Sequence, residues 1–457
     1  MPSSFTTSSY TISLHLVNKD TYPRWLKNQS KEWQEWLKTN GDFKAHAHSC
    51  APLFTAQGKI GAVAVGVDSE LNIWSIAHLP ACLPPGNYSL PKDLDPNMAE
   101  NLVLGWALAQ YQFDRYKKST PRRAKLAWPK GVDRAKITAL AESIFMARDL
   151  INTPANDMGP ENLAAAAKKV AKENRTTYKE IIGGQLLKNN YPLIHAVGKA
   201  SSQAPRLVDI SFGPAKAPKV TLVGKGVCFD TGGLDIKSAD GMKLMKKDMG
   251  GAAVALGLFQ ALVKSGLNLR LRLLLPIVEN SVSGNAFRPL DIIPSRKGLN
   301  VEIGNTDAEG RLILADALTE ADQEKPDLLI DFATLTGAAR IALGAEIPAV
   351  FSNRQNLAIG LASKAMEIYD PLWPLPLWNN YRKMLKSKFA DLNNAPEGGY
   401  GGAITAALFL QEFVSKKTPW IHIDTMAWNQ SDSPGRPLGG EALALRAVYA
   451  FLVEKYS

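Results

Sequence analysis

Acidic and basic residues crowd into two short stretches of a region that is otherwise apolar. The first runs Val223-Gly-Lys225-Gly-Val-Cys-Phe-Asp230-Thr-Gly232-Gly233 to Lys237, then through Met245 to Asp248-Met-Gly-Gly; the second is Asn305-Thr-Asp307-Ala-Glu309-Gly310-Arg311-Leu. Four carboxylates, Asp230, Asp248, Asp307 and Glu309, can share one pocket only with accompanying positive charge, because like charges a few ångströms apart oppose ionisation. Two divalent cations would balance all four. Oxygen-rich sites suit Mg²⁺ or Mn²⁺, and Zn²⁺ is tolerated. The plain alternative is a set of solvated ion pairs with Lys225, Lys237, Lys243, Lys246, Lys247 and Arg311, the ordinary fate of charged side chains. Taken singly, none of these residues distinguishes the two.

Rigid elements must deliver such loops. VTLVG reads as an apolar strand that places Lys225 and Asp230 at or just past its carboxyl end, and the glycine-bounded acidic turn opens a helix near Arg311. From about residue 155 short β-branched runs (LVDISF, VTLVG, LRLRLLLPIV, LLIDFATL, WIHIDT) alternate with longer amphipathic ones (GGAAVALGLFQALVKSG, LILADALTEADQ, AITAALFLQEFV). This pattern predicts an α/β fold: a C-terminal domain, residues 155–457, with a central, mostly parallel sheet flanked by helices and ligands held at the carboxyl ends of the strands.

Upstream, TYPRWLKNQSKEWQEWLK reads as one Trp-rich helix, and GAVAVGVDS with LNIWSIAHL as a strand pair, giving a smaller N-terminal α/β domain over residues 1–130. A basic, Pro-broken segment with Lys117, Lys118, Arg122, Arg123, Lys125 and Lys130 reads as an exposed connection. Residues 131–154 then form a linker helix, capped by Asp133 and stopped at Asn152-Thr-Pro154.

Other chemistries find less support. There is no H-E-x-x-H helix among the six histidines, no G-x-S-x-G elbow and no P-loop. His46 and His48 alternate as if on one strand face, and His422 reads as a core residue. Cys50, Cys82 and Cys228 are too few and scattered for a disulfide framework and read as ordinary thiols, Cys228 included although it lies within the first acidic segment. The run Gly398-Gly-Tyr-Gly-Gly402 reads as a flexible loop.

The segments VGKGVCFDTGG, IKSADGMKLMKKDMGGAA, NTDAEGRL and DFATLTGA, in that order and at these intervals, resemble the signature stretches of the cytosol (leucyl) aminopeptidase family, a bacterial member in this case. The resemblance covers most of residues 150–450 and is weak in the amino-terminal part. It implies a two-metal aminopeptidase acting on peptides with a free N-terminus, with two divalent ions (Mn²⁺ or Zn²⁺) per subunit. Lys225 and Asp248 would hold the tight metal site, Asp307 the exchangeable one, and Asp230 and Glu309 would bridge both. Lys237 would stabilise the gem-diolate, and Arg311 would hold a bicarbonate ion serving as general base. Met245, Thr334 and Gly337 would line the pocket for the first side chain, with the Leu335 carbonyl orienting the peptide. The resemblance further implies a homohexamer of two stacked trimers. In the tail, SDSPGRPLGGEALALRAVYAFL keeps the family's Gly-Arg-Pro but changes its neighbours, so no residue carries over there.

The chain has 457 residues, 46% hydrophobic and 21% charged, with a formal charge of +10. That is a globular composition with no membrane-length apolar stretch and no signal-peptide pattern at the start, which points to the cytoplasm. The net charge and the Lys117–Lys130 cluster leave nucleic-acid binding as a second function class, since some bacterial relatives also bind DNA. A two-metal phosphatase would satisfy the carboxylates alone but not the NTDAEGR and TLTGA segments. An inactive scaffold is disfavoured because every expected ligand is present.

Overall fold

The computed structural model describes residues 4–39, 43–396 and 398–457. The chain forms two compact units, Met1–Phe145 with Ser431–Leu438, and Met146–Gln430 with Gly439–Ser457. The division falls inside the helix Arg134–Asn152, and a short stretch near the carboxyl end belongs with the first unit.

In the first unit a sheet runs in the order Phe5–Thr6, Ala124–Ala127, Gly86–Ser89, Ile12–Val17, Ile60–Gly66, Cys50–Phe54. Only the last pair is antiparallel. The basic segment expected as an open connection thus contributes Ala124–Ala127 to the sheet: Ala124 and Leu126 point inward and are buried, while Lys125 between them is exposed.

The expected single Trp-rich helix is two, Tyr22–Lys27 and Lys31–Thr39, because the Ser30 hydroxyl accepts from the Trp33 amide and restarts the helix. Trp33 and Trp36 donate their indole N–H groups to the Phe54 and Pro52 carbonyls, at 2.8 and 2.9 Å, and pack on Leu37, Phe43 and Leu53. LNIWSIAHL is a turn rather than a strand. The Asn72 side chain accepts from Trp74 N and its own amide donates to Ser75 Oγ, and these local bonds outcompete a ladder that the apolar alternation alone would favour.

His46 and His48 lie on an exposed loop before Cys50–Phe54, so they share no strand face, and His48 has a positive φ of 65°. The cysteines are less scattered in space than in sequence: the Cys50 and Cys82 sulfurs stand 3.4 Å apart as free thiols.

The second unit holds the larger sheet, ordered Trp373–Pro374, Ala349–Ser352, Trp420–Asp424, Leu328–Ala333, Lys219–Gly224, Arg270–Asn280, Arg206–Phe212, Thr177–Ile182. The four central strands are mutually parallel, while Ala349–Ser352, Arg206–Phe212 and Thr177–Ile182 run antiparallel to their inner neighbours. Strands buried on both faces read as unbroken apolar runs, as these do. The helix Gly250–Lys264 packs against the sheet with Leu445–Tyr456; Gly310–Gln323 packs there with Pro192–Gly198 and Gly402–Gln411. Asp316 fixes the second group by accepting from the Leu193, Ile194 and Arg296 amides, and burial pushes its carboxyl up to about 7.

The run after VTLVG is not simply a loop. Gly226–Asp230 is a separate short strand that pairs in parallel with the far end of Arg270–Asn280, through a register shift that sets Asp230 opposite Asn280. No helix among the described residues is long and apolar enough to cross a membrane.

Candidate active site

Lys225 sits between two strands, Lys219–Gly224 and Gly226–Asp230. Its amide donates to the Phe332 carbonyl and its own carbonyl accepts from Ala252 at the start of Gly250–Lys264, so strand and helix together fix the direction of its side chain. The Nζ lies 2.8 Å from Asp248 Oδ2 and 3.0 Å from Glu309 Oε1, and donates to the Thr334 carbonyl at 3.0 Å. A β-carbon on Gly310 would stand 2.3 Å from Lys225 Cε, so the second residue of the E-G-R triplet has to be glycine for the lysine to pass.

Asp230 closes the strand Gly226–Asp230. Its Oδ1 accepts from Gly232 N and Asn280 Nδ2, both at 2.9 Å, and its Oδ2 is 2.9 Å from Lys237 Nζ. Lys237 also pairs with Asp307. The tight reversal from Gly232 to Lys237 needs a φ of +89° at Gly232, which side-chain-bearing residues rarely adopt. Asp248 lies in the 3-10 turn Met245–Met249 and accepts from Thr334 Oγ1 at 2.7 Å. Glu309 caps the helix Gly310–Gln323, and Asp307 belongs to the turn before it. One carboxylate oxygen from each of Asp230, Asp307 and Glu309 falls within 4.8 Å of the others.

Thus the structure brings Lys225 from between two strands, Asp230 from a strand end, Asp248 from a 3-10 turn, and Asp307 and Glu309 from the turn that opens a helix into one cavity of about 580 Å³. Lys237, Arg311, Met245, Thr334, Leu335 and Gly337 line the same cavity, and Gly398 and Gly402 of the late glycine run reach its rim.

The electrostatics are those of crowded acids. Burial, reinforced by the Asp230 charge, pushes Asp307 up to about 6 and Glu309 up to about 8, the latter despite Lys225. Burial works against the Lys225 and Lys237 ammonium groups, but the surrounding carboxylates outweigh it and hold both protonated well above the usual lysine range. In the protein alone, two lysines supply the positive charge. Arg311 is buried and donates to the Asn394 carbonyl at 2.6 Å, while its Nε has no partner among the described residues. Burial pulls it down to about 10. The Cys228 thiol is driven upward by burial, which suits a structural role and not a nucleophile. His422 is fully buried, its Nδ1 2.6 Å from Asp331 Oδ1.

Several neighbours escape sequence reasoning. Asn280 holds Asp230 and also donates to the Thr306 carbonyl. Asn394 braces the acidic turn, accepting from Gly304 N and donating to the Asn305 carbonyl. Asp424 accepts from Leu335 N, Thr336 N and Thr336 Oγ1, orienting the Thr334–Gly337 wall. Uncharged amides at strand ends carry no periodic or charge signal. Lys247, grouped with surface cations in the plain reading, is instead buried in the pocket, where desolvation lowers its amine to about 8.

Asn280→Leu keeps the size of the side chain and removes the donor that aims Asp230. Loss of such an outer partner costs roughly 10- to 100-fold in metal affinity, and isothermal titration with Mn²⁺ checks it. An affinity equal to that of the unaltered chain would mean Asp230 is aimed by its loop alone.

Residues 145–449 match the catalytic domain of the cytosol aminopeptidase family, and residues 12–129 match the M17 aminopeptidase N-terminal domain. A probable cytosol aminopeptidase of Persephonella marina is 38% identical over 382 residues, 80% of this chain and 76% of that protein. The crystal structure of cytosol aminopeptidase from Coxiella burnetii superposes with a TM-score of 0.96 at 48% identity, covering 99% of both chains. The bottromycin maturation enzyme BotP, solved in complex with Mn, reaches 0.88 at 30% identity, covering 98% of this chain and 100% of that one. With both of its units matched and its acidic segments gathered in the catalytic one, the chain belongs to the cytosol aminopeptidase family.

Proposed function

We propose that this chain is a dinuclear metalloaminopeptidase of the leucyl type that releases the first residue of peptides with a free N-terminus. The observation that carries the reading is the set of three carboxylate oxygens within 4.8 Å of one another, those of Asp230 and Glu309 buried and that of Asp307 partly exposed, with Lys225 wedged between Asp248 and Glu309. Such crowding raises proton affinity in the protein alone, and it fits a pair of divalent cations, Mn²⁺ or Zn²⁺. Lys225 and Asp248 would hold the tight ion and Asp307 the exchangeable one, with Asp230 and Glu309 shared between them. When bound, the ions polarise the scissile carbonyl and acidify the attacking water.

The chain's own groups account for the rest. Lys237 reaches Asp230 and Asp307 and would donate to the substrate carbonyl oxygen as charge develops on it. The unpartnered Nε of Arg311 is a buried donor that a bicarbonate would satisfy, and the ion held there would accept the proton lost by water. Met245, Thr334 and Gly337 would receive the first side chain. The Leu335 carbonyl, on a segment fixed by Asp424, would orient the peptide. The free α-amine would complete the metal coordination, which explains selectivity for unblocked ends. The same reading makes the working form a cytoplasmic homohexamer.

The test is hydrolysis of leucinamide beside N-acetyl-leucinamide, with Mn²⁺ and with chelator. Release of ammonia from leucinamide alone, and only with metal, is expected. Equal cleavage of the acetylated amide would remove the amine from the site and sink the exopeptidase reading.

A further inference from the structure

Two further cations line the cavity without an ion pair to the acidic cluster among the described residues. Arg340 lies on the helix Gly337–Leu343, one turn beyond Gly337, and its Nη2 stands 3.6 Å from where a Gly337 side chain would begin. Lys247 follows Met245 by two residues in the turn Met245–Met249 and is 2% exposed. Both line the cavity that also contains Asp230, Asp307 and Glu309.

Neither side chain has an ion pair or side-chain hydrogen bond among the described residues. The candidate acids are already engaged: Asp248 pairs with Lys225 and accepts from Thr334 Oγ1, and the two oxygens of Asp424 accept from Leu335 N, Thr336 N and Thr336 Oγ1. Two like charges in a half-enclosed, low-dielectric space repel, and an incoming anion relieves that repulsion. A guanidinium beside an ammonium is suited to a carboxylate, the guanidinium offering paired donors. Both cations also adjoin the wall assigned to the first side chain, Lys247 through Met245 and Arg340 through Gly337.

We propose that Lys247 and Arg340 form an anion subsite in the first-residue pocket, which selects peptides beginning with glutamate or aspartate. The proposal rests on the aminopeptidase reading and narrows its substrate class. An acidic side chain would enter between the two cations while the α-amine and scissile carbonyl face the carboxylate cluster. A leucine side chain there leaves both charges unmatched.

The test uses the Mn²⁺-loaded enzyme and compares kcat/KM for glutamyl- and leucyl-p-nitroanilide, neither of which has a C-terminal carboxylate. In Arg340→Met and in Lys247→Met the glutamyl-to-leucyl ratio is expected to fall at least about tenfold. In Arg340→Glu the preference should turn toward lysyl-p-nitroanilide. A purely structural defect lowers both anilides together and leaves their ratio in place, so a ratio within about twofold of the original in both methionine variants overturns the proposal. The same variants assayed on leucylglycine and leucylglycinamide separate the sources of carboxylate. A change in that pair with the anilide ratio unmoved places the C-terminal carboxylate at Arg340, which also overturns it. Absence of hydrolysis of every substrate by the unaltered enzyme defeats the aminopeptidase reading itself, and this proposal with it.

Discussion

Asp248→Asn and Glu309→Gln each lower kcat/KM for leucinamide by at least about 10³-fold in the presence of Mn²⁺, while leaving the fold intact. A metal that polarises a carbonyl contributes several kcal/mol to the transition state, and each 1.4 kcal/mol or so is a factor of ten. Both replacements keep the shape of the side chain and remove one of the four negative charges that two divalent ions would balance. Asparagine at 248 retains an acceptor for Thr334 Oγ1, now 2.7 Å away. Glutamine at 309 mimics the protonated acid that burial already favours, since the carboxyl there is pushed up to about 8.

The sign of the stability change follows from that shift. An acid raised from its ordinary 4.5 to about 8 binds its proton more tightly in the folded chain. Its stabilisation is complete below the ordinary value and disappears as pH climbs through 8. Glu309→Gln lacks that loss, so without metal its unfolding midpoint at pH 8 equals or exceeds that of the original chain. Metal-free unfolding and metal-dependent hydrolysis therefore move independently, which separates a site defect from a folding defect. Wild-type rates in both variants would mean that hydrolysis occurs elsewhere.

How far the sequence reveals this depends on the physical signal each residue emits. Asp230, Asp248, Asp307 and Glu309 are legible because charge interrupts apolar runs, and the central strands because burial on both faces makes those runs continuous. Gly226–Asp230 is hidden as a strand: it is short, starts at a glycine and pairs across a register shift with a strand far along the chain. LNIWSIAHL misleads in the opposite direction, since Asn72 turns the chain where alternation suggests a ladder. Asn280 and Asn394 act through side-chain contacts 50 and 89 residues distant, with Asp230 and Asn305, and an uncharged amide announces no such partner. Lys247 and Arg340 look like solvated cations until the fold turns them into the cavity. Local pattern thus exposes the groups that would hold metal, whereas the groups that aim them, and those that would choose the substrate, emerge only from tertiary structure.

Metal affinity should fall steeply as pH drops from 8 to 6, by about 10² for each proton that binding must displace over those two units. Lys225, as a ligand, would supply one such proton. Only a neutral amine can ligate, and stripping an ordinary lysine at pH 7 costs about 4 to 5 kcal/mol. Asp248, Glu309 and Asp230 increase that cost, because together they overcome the effect of burial and hold the ammonium well above its usual range. Glu309 supplies a second proton below about 8, and Asp307 a third near 6. All three shifts are upward, so each group is more fully protonated as pH falls and competes with the metal in the same direction. Titration of Mn²⁺ at pH 6, 7 and 8, with proton release followed in buffers of different ionisation enthalpy, measures both the slope and the stoichiometry. In Lys225→Met the slope should decrease by one proton while the carboxylate contribution persists. An affinity independent of pH would exclude Lys225 as a ligand, because no neutral amine can form among these acids without releasing a proton.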